Sequence, residues 1–202
     1  MKRGLCLASQ SPRRAELLRQ AGFDFWTYEP KVDESAVPDE RPADLTERLS
    51  VKKAAAAVRA AAAGGEHPVC LGSDTVVVLD DTILGKPRDH TDAFGMLYRL
   101  SGRSHEVVTA VTVARGDWCE SRRVISTVTF CRLAEDVIRA YCETPEPYDK
   151  AGAYGIQGFG GSFVASLSGS YSAVMGLPLY ETTVLLALAG IHPGWKEDRC
   201  NE

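Results

Sequence analysis

The sequence is short of the features that would betray several common functions. No apolar run approaches the roughly 20 residues that a membrane-spanning helix needs, so no membrane partner is expected. Histidine is scarce, and His67, His90, His105 and His192 are well spread, which argues against a histidine metal centre. Six cysteines (Cys6, Cys70, Cys119, Cys131, Cys142 and Cys200) form no CxxC pair and no metal-finger spacing. Cys6 and Cys70 sit in apolar runs, where a free thiol behaves as a small hydrophobe, and a reducing cytoplasm is the expected compartment. Charge of one sign is lacking too: 23 Lys and Arg stand against 27 Asp and Glu, a net −4. That balance gives no bulk attraction to nucleic acid or anionic membrane, so any polyanion must meet a local basic cluster. No Walker P-loop, GxGxxG, HExxH or GxSxG is present, nor any internal repeat or low-complexity tract.

What remains is an ordinary globular composition, 45% hydrophobic and 25% charged over 202 residues, enough for one generous domain or two small lobes sharing a core. The opening MKRGLCLASQ reads as a buried first strand over Gly4–Ala8, its apolar stretch being too short for a signal peptide. Pro12–Ala21 follows as a helix with Ser11 as hydroxyl cap and Gly22 at its end. Phe23–Tyr28 is strand-like, Glu29–Pro42 a proline-rich loop, and Asp44–Ala63 an alanine-dense helix. Val69–Leu71 and Thr75–Leu79 flank GSD as a buried strand, with Asp80–Asp81 turning into Thr82–Leu84. Thr91–Leu100 reads as a helix, Ser104–Ala114 and Glu120–Cys131 as a hairpin, and Ala134–Cys142 as a helix. Ser162–Leu167 is strand-like, Leu179–Ala189 is the last helix, and the polar tail from His192 is expected to fray. Interleaved strands and helices predict a mixed α/β fold.

Four loops carry polar residues that packing does not require. In Ser9–Arg14 two arginines occupy a helix start, where the dipole disfavours cations. Either they are solvated, or the helix N–H groups and both guanidiniums form an anion site for a di- or triphosphate. In Gly72–Val78, Asp74 interrupts an apolar strand, where a carboxylate is costly unless paired. It is either part of a bulge or of a turn capped by Ser73 and Asp74, or a metal-binding or general-base carboxylate at a strand end. LGKPRD adds Lys86 and Arg88 on a stiff loop, and Asp149–Gly158 is a glycine-rich segment. In that segment Tyr154 offers a stacking face and Gln157 a hydrogen-bonding amide for a base. Arg13, Arg14, Lys53, Lys86 and Arg88 against Glu34 and Asp74 describe nucleotide phosphate chemistry.

Taken in order, LASQSPRRAELL, VDE at Val32–Glu34, RLSVKKA at Arg48–Ala54, GSDTVV, GKPRD, LSGRSHEVVTAV, DKAGAYGIQG and GSYSAVMGLPLYET at Gly169–Thr182 resemble the Maf family of nucleoside triphosphate pyrophosphatases. The likeness runs to about Leu188, with Ser73 and Tyr148 as mild departures. The resemblance implies a mixed twisted sheet with flanking helices and two lobes around a central cleft, similar to inosine triphosphate pyrophosphatases. It implies one domain over residues 1–190, a polar tail over 191–202, and usually a homodimer. It implies cleavage of a nucleoside triphosphate to monophosphate and pyrophosphate with a divalent cation, Mg or Mn. By motif, Asp74 matches the proton acceptor, and Arg13, Thr75 and Gln157 match the substrate-selecting positions. Glu34, Lys53 and Lys86 match polar positions of the cleft, with Glu34 and Asp74 as metal ligands and Arg14, Lys53 and Lys86 on phosphate. DKAG before AYGIQG looks like the group acting on dTTP and UTP. The alternatives are the group acting on 7-methyl-GTP and a non-catalytic nucleotide-binding regulator of septum formation.

Overall fold

The computed structural model describes residues 4–197. Cys200 and the end of the expected tail lie outside the described residues, as do the first three residues of the opening stretch. In chain order the elements are β1 (Leu5–Ala8), α1 (Pro12–Gln20), β2 (Phe25–Tyr28), α2 (Pro42–Ala63), β3 (Val69–Leu79), β4 (Thr82–Leu84), α3 (His90–Leu100), β5 (Ser104–Arg115), β6 (Trp118–Phe130) and α4 (Glu135–Cys142). After three short 3₁₀ turns come β7 (Val164–Ser168), α5 (Tyr171–Met175), α6 (Leu179–Leu188) and α7 (Gly194–Glu197). The strands form a seven-stranded sheet in the order β2-β1-β3-β5-β6-β7, with β4 beside β3. Pairing is parallel for β1 with β2 and β3, and antiparallel for β3 with β4 and β6 with β7. The mixed α/β class expected from the sequence is the one observed.

Two compact units divide the chain, and β3, β5 and β6 each contribute residues to both. The first unit takes the described residues up to 74, residues 109–123, and the described residues from 176 onward. Strand β1 is buried along its length and β3 at every position but Thr75, which is why both are rich in apolar residues rather than alternating, with GSD as the one polar break. Helix α2 packs on this sheet through small residues: Ala57 clusters with Cys6, Ala8 and Cys70. α2 also comes close at Gly72, where a Cβ would overlap the Ser50 carbonyl oxygen and sit 2.7 Å from the Ala54 nitrogen.

The second unit takes residues 75–108 and 124–175. Its core joins Leu97, Leu100, Val128, Phe130 and Ile138 from α3, β6 and α4. An edge-to-face chain runs from His105 through Phe130 and Phe163 to Tyr141, the geometry that aromatic quadrupoles favour. Burial pushes the His105 imidazole down to about 4, so it is neutral, and its Nε2 shares a 2.9 Å hydrogen bond with the Tyr154 hydroxyl.

Several local expectations are corrected. β3 is continuous through GSD, so Asp74 lies inside a strand and not at its end. Ser11 precedes α1 but its hydroxyl caps nothing; the Ser9 hydroxyl accepts the Ser11 N–H at 3.1 Å instead. α2 begins two residues earlier than expected, with Pro42 in its first turn, where a missing N–H costs nothing. The segment around His192 does not simply fray: the Gly194 N–H reaches the Gly22 carbonyl at 2.8 Å and Trp195 Nε1 reaches the Ala21 carbonyl at 3.1 Å. Among the described residues no helix is long and apolar enough to cross a membrane.

Candidate active site

The first unit gathers most of the charged residues singled out in the sequence. Asp74 and Gly72 sit two positions apart on β3 and therefore face the same side of the sheet, toward α2. From α2, buried Lys53 reaches Asp74 Oδ1 at 2.7 Å and, with the same ammonium, Glu34 Oε1 at 2.7 Å. Asp74 and Lys53 are only 7% and 6% exposed, so each charge needs its partner. Glu34 comes from the loop between β2 and α2, its side chain largely exposed. Lysine here is a bridge between two carboxylates, which is more than the phosphate contact expected of it.

Arg13 and Arg14 open α1, whose first turn contains no acid. Arg14 donates through Nε to the Gly176 carbonyl at 2.9 Å and through Nη1 to the Ser9 hydroxyl at 3.4 Å. Burial pushes its guanidinium down from the ordinary arginine range, Asp74 and Glu34 pull it back up, and Arg13 opposes them. Ser73 adds a strut: its hydroxyl lies 2.9 Å from the Ala110 carbonyl and 3.0 Å from the same Gly176 carbonyl. The departure at Ser73 therefore joins β3 to β5 and to the start of the segment leading into α6. The roles of Ser73 and the Gly176 carbonyl escape a reading of the sequence because their partners are up to 162 residues away, whereas Ser9 meets its own neighbours Ser11 and Arg14. The close serine pair in SQS hints at that local contact.

Thr75, Lys86 and Gln157 belong to the second unit. Thr75 follows Asp74 on β3, so alternation turns its side chain to the opposite face. Lys86 is exposed on the loop after β4, and Gln157 is exposed on the glycine-rich segment. These two loops are joined where the Gly152 N–H donates to the Gly85 carbonyl at 3.1 Å. Gly152 has φ +72, and a Cβ there would press on Val77 at 3.0 Å, so glycine is required on both counts. One expectation fails here. Tyr154 is 5% exposed and held by His105 and Phe130, so its ring is core and offers no face to a base. Arg88 is paired with Asp92, Nε to Oδ2 at 3.1 Å, on the surface.

Among the described residues no group of three or more His, Cys, Asp and Glu could hold a metal unaided. The Glu34 and Asp74 oxygens fit a hard divalent cation of the kind that takes one or two carboxylates and completes its shell with substrate phosphate. That both already share one cationic group shows that a positive charge is favoured at that point.

A model of the Maf-like protein family matches residues 4–189. A dTTP/UTP pyrophosphatase of Pseudoalteromonas atlantica is 53% identical over 91% of this chain and 95% of its own length. Another from Symbiobacterium thermophilum is 50% identical over 92% and 94%. Among solved structures, a nucleoside-triphosphatase (dITP/XTP pyrophosphatase) of Mycobacterium abscessus superposes with a TM-score of 0.41 at 17% identity, covering 64% of this chain and 75% of that one.

Proposed function

The chain belongs to the Maf-like protein family, and on that premise we propose that it hydrolyses dTTP and UTP to the monophosphate and pyrophosphate. The observation that carries the reading is the ammonium of Lys53 shared by Asp74 and Glu34. Cations for a triphosphate and carboxylates for a base or a hard metal are assembled in one unit. Relatives at about half identity over nearly their whole length, named for this activity, support the substrate.

In this reading Asp74 takes the proton of a water whose oxygen attacks the α-phosphorus. The new oxygen–phosphorus bond forms as the bond to the bridging oxygen breaks, and pyrophosphate leaves. Arg13, Arg14, Lys53 and Lys86 neutralise the charge of the triphosphate and of the leaving group. The guanidiniums at the start of α1 act with the helix N–H groups, so an anion there offsets the dipole penalty that two cations alone would incur. Glu34 and Asp74 would hold a Mg or Mn ion, which supplies Lewis-acid charge to the phosphate oxygens. Gln157 presents a donor and an acceptor at once, the complement of the O4 and N3–H edge common to thymine and uracil. Arg13 and Thr75 share the choice of substrate with it.

The test is pyrophosphate release from dTTP, UTP, CTP, ATP and 7-methyl-GTP, with and without a chelator. Release is expected to be fastest from dTTP and UTP, to stop with chelator, and to return on adding Mg or Mn. Preference for 7-methyl-GTP would move the chain to the other group, and binding without turnover would leave only a regulator.

A further inference from the structure

The glycine-rich segment that carries Gln157 closes around one carboxylate to which neither motif nor proposed chemistry assigns a task. Glu146 lies in the 3₁₀ turn after α4. Its Oε1 accepts the Tyr141 hydroxyl at 2.8 Å and the Gly160 N–H at 3.0 Å, and its Oε2 accepts the Phe159 N–H at 2.9 Å. The Tyr141 oxygen in turn accepts the Gly155 N–H at 3.2 Å. Gln157 therefore sits midway along a six-residue arc whose two ends are tied to the same tyrosine–glutamate pair.

The glycines of the arc follow from that tie. A Cβ at Gly158 would overlap Glu146 Oε2, and one at Gly160 would come within 2.9 Å of the Tyr141 hydroxyl. Backbone must lie directly against the carboxylate, and only glycine allows it. Burial raises the Glu146 carboxyl, but the Gly160 N–H, the Tyr141 hydroxyl and the Phe159 N–H outweigh it and hold the group below the ordinary glutamate range. It is therefore an anion at neutral pH and an acceptor for all three donors. Gln157, Gly158 and Phe159 are exposed above this floor, whereas Gly155 and Gly160 are buried.

We infer that Glu146 is a positioning residue for base recognition, its carboxylate clamping the arc that presents Gln157. The inference rests on the reading that Gln157 meets the pyrimidine. A carboxamide turned over exchanges donor for acceptor and then matches cytosine as well as uracil. The backbone tied to Glu146 sets where the carboxamide stands, and so whether it reaches the O4 and N3–H edge in the first place.

The experiment compares kcat and KM for UTP and CTP in the wild type, Glu146→Ala, Glu146→Gln and Gln157→Ala, with thermal melting of each. Glu146→Ala strands two N–H groups and one hydroxyl. It is expected to raise KM for UTP by ~10-fold and to cut the UTP-over-CTP preference as Gln157→Ala does, with kcat changed less than about threefold. Glu146→Gln keeps an acceptor oxygen and should recover part of the preference; if the alanine variant does not fold, this variant decides. Loss of preference in Gln157→Ala with wild-type preference in every folded Glu146 variant would overturn the inference and leave the reading of Gln157 standing. Wild-type preference in Gln157→Ala would overturn that reading, and the inference with it.

Discussion

Asp74→Asn is expected to lower dTTP turnover by ~1,000-fold or more, since the amide cannot accept the proton of the attacking water. The loss should lie in kcat. Stability should suffer much less, because the replacement is isosteric, keeps an acceptor oxygen toward Lys53, and leaves that ammonium paired with Glu34 at 2.7 Å. A cost of about 1–3 kcal/mol is the scale for weakening one charged hydrogen bond in a buried setting. Circular dichroism and melting of the variant check the second half, and pyrophosphate release checks the first. Turnover within tenfold of wild type in a folded variant would remove Asp74 from the chemistry.

Gly72→Ala carries the second large effect, and it acts through packing. The added methyl would meet backbone, the Ser50 carbonyl and the Ala54 nitrogen, and neither can swing aside as a side chain can. α2 has to move off the sheet, and Lys53 moves with it because it immediately precedes Ala54. Forcing one carbon into a closed helix–sheet contact is expected to cost about 3 kcal/mol, which is roughly 10 °C in Tm for a chain of this size. Hydrolysis should fall as well, because the Lys53–Asp74 contact is set by that spacing. Gly95 is the control: it lies inside α3, and a Cβ added there would meet no atom within 4 Å. Gly95→Ala is therefore expected to be neutral or slightly stabilising. Equal melting temperatures for the two variants would contradict the tight packing of α2 on β3.

The two substitutions also mark how far the sequence could be read. Asp74 stands out because a carboxylate in an apolar strand is expensive, and Gly72 lies in the same motif. The elements around them follow from local rules: β1 and β3 from apolar runs, α1 from Pro12 and Gly22, and the β3–β4 turn from an Asp80–Asp81 pair that takes positive φ at both positions. Other features depend on partners distant in the chain. That Lys53 bridges two carboxylates, and that Arg14 and Ser73 meet at the Gly176 carbonyl, are facts of tertiary structure. α5 has only five residues between glycines, so its sequence is indistinguishable from a loop. Tyr154 illustrates the opposite error: an aromatic beside glycines looks like a ligand platform, yet His105 and Phe130 claim it for the core. Glu146 is silent in the sequence for the same reason, since its three donors arrive from both sides of its own turn.

Attack of water at the α-phosphorus of a pyrimidine triphosphate defines the activity, and hydrolysis of dTTP in oxygen-18 water, followed by mass spectrometry, reads where that attack falls. One labelled oxygen is predicted in dTMP and none in the pyrophosphate released with it. Label in the pyrophosphate, or release of orthophosphate in its place, would contradict attack at that atom.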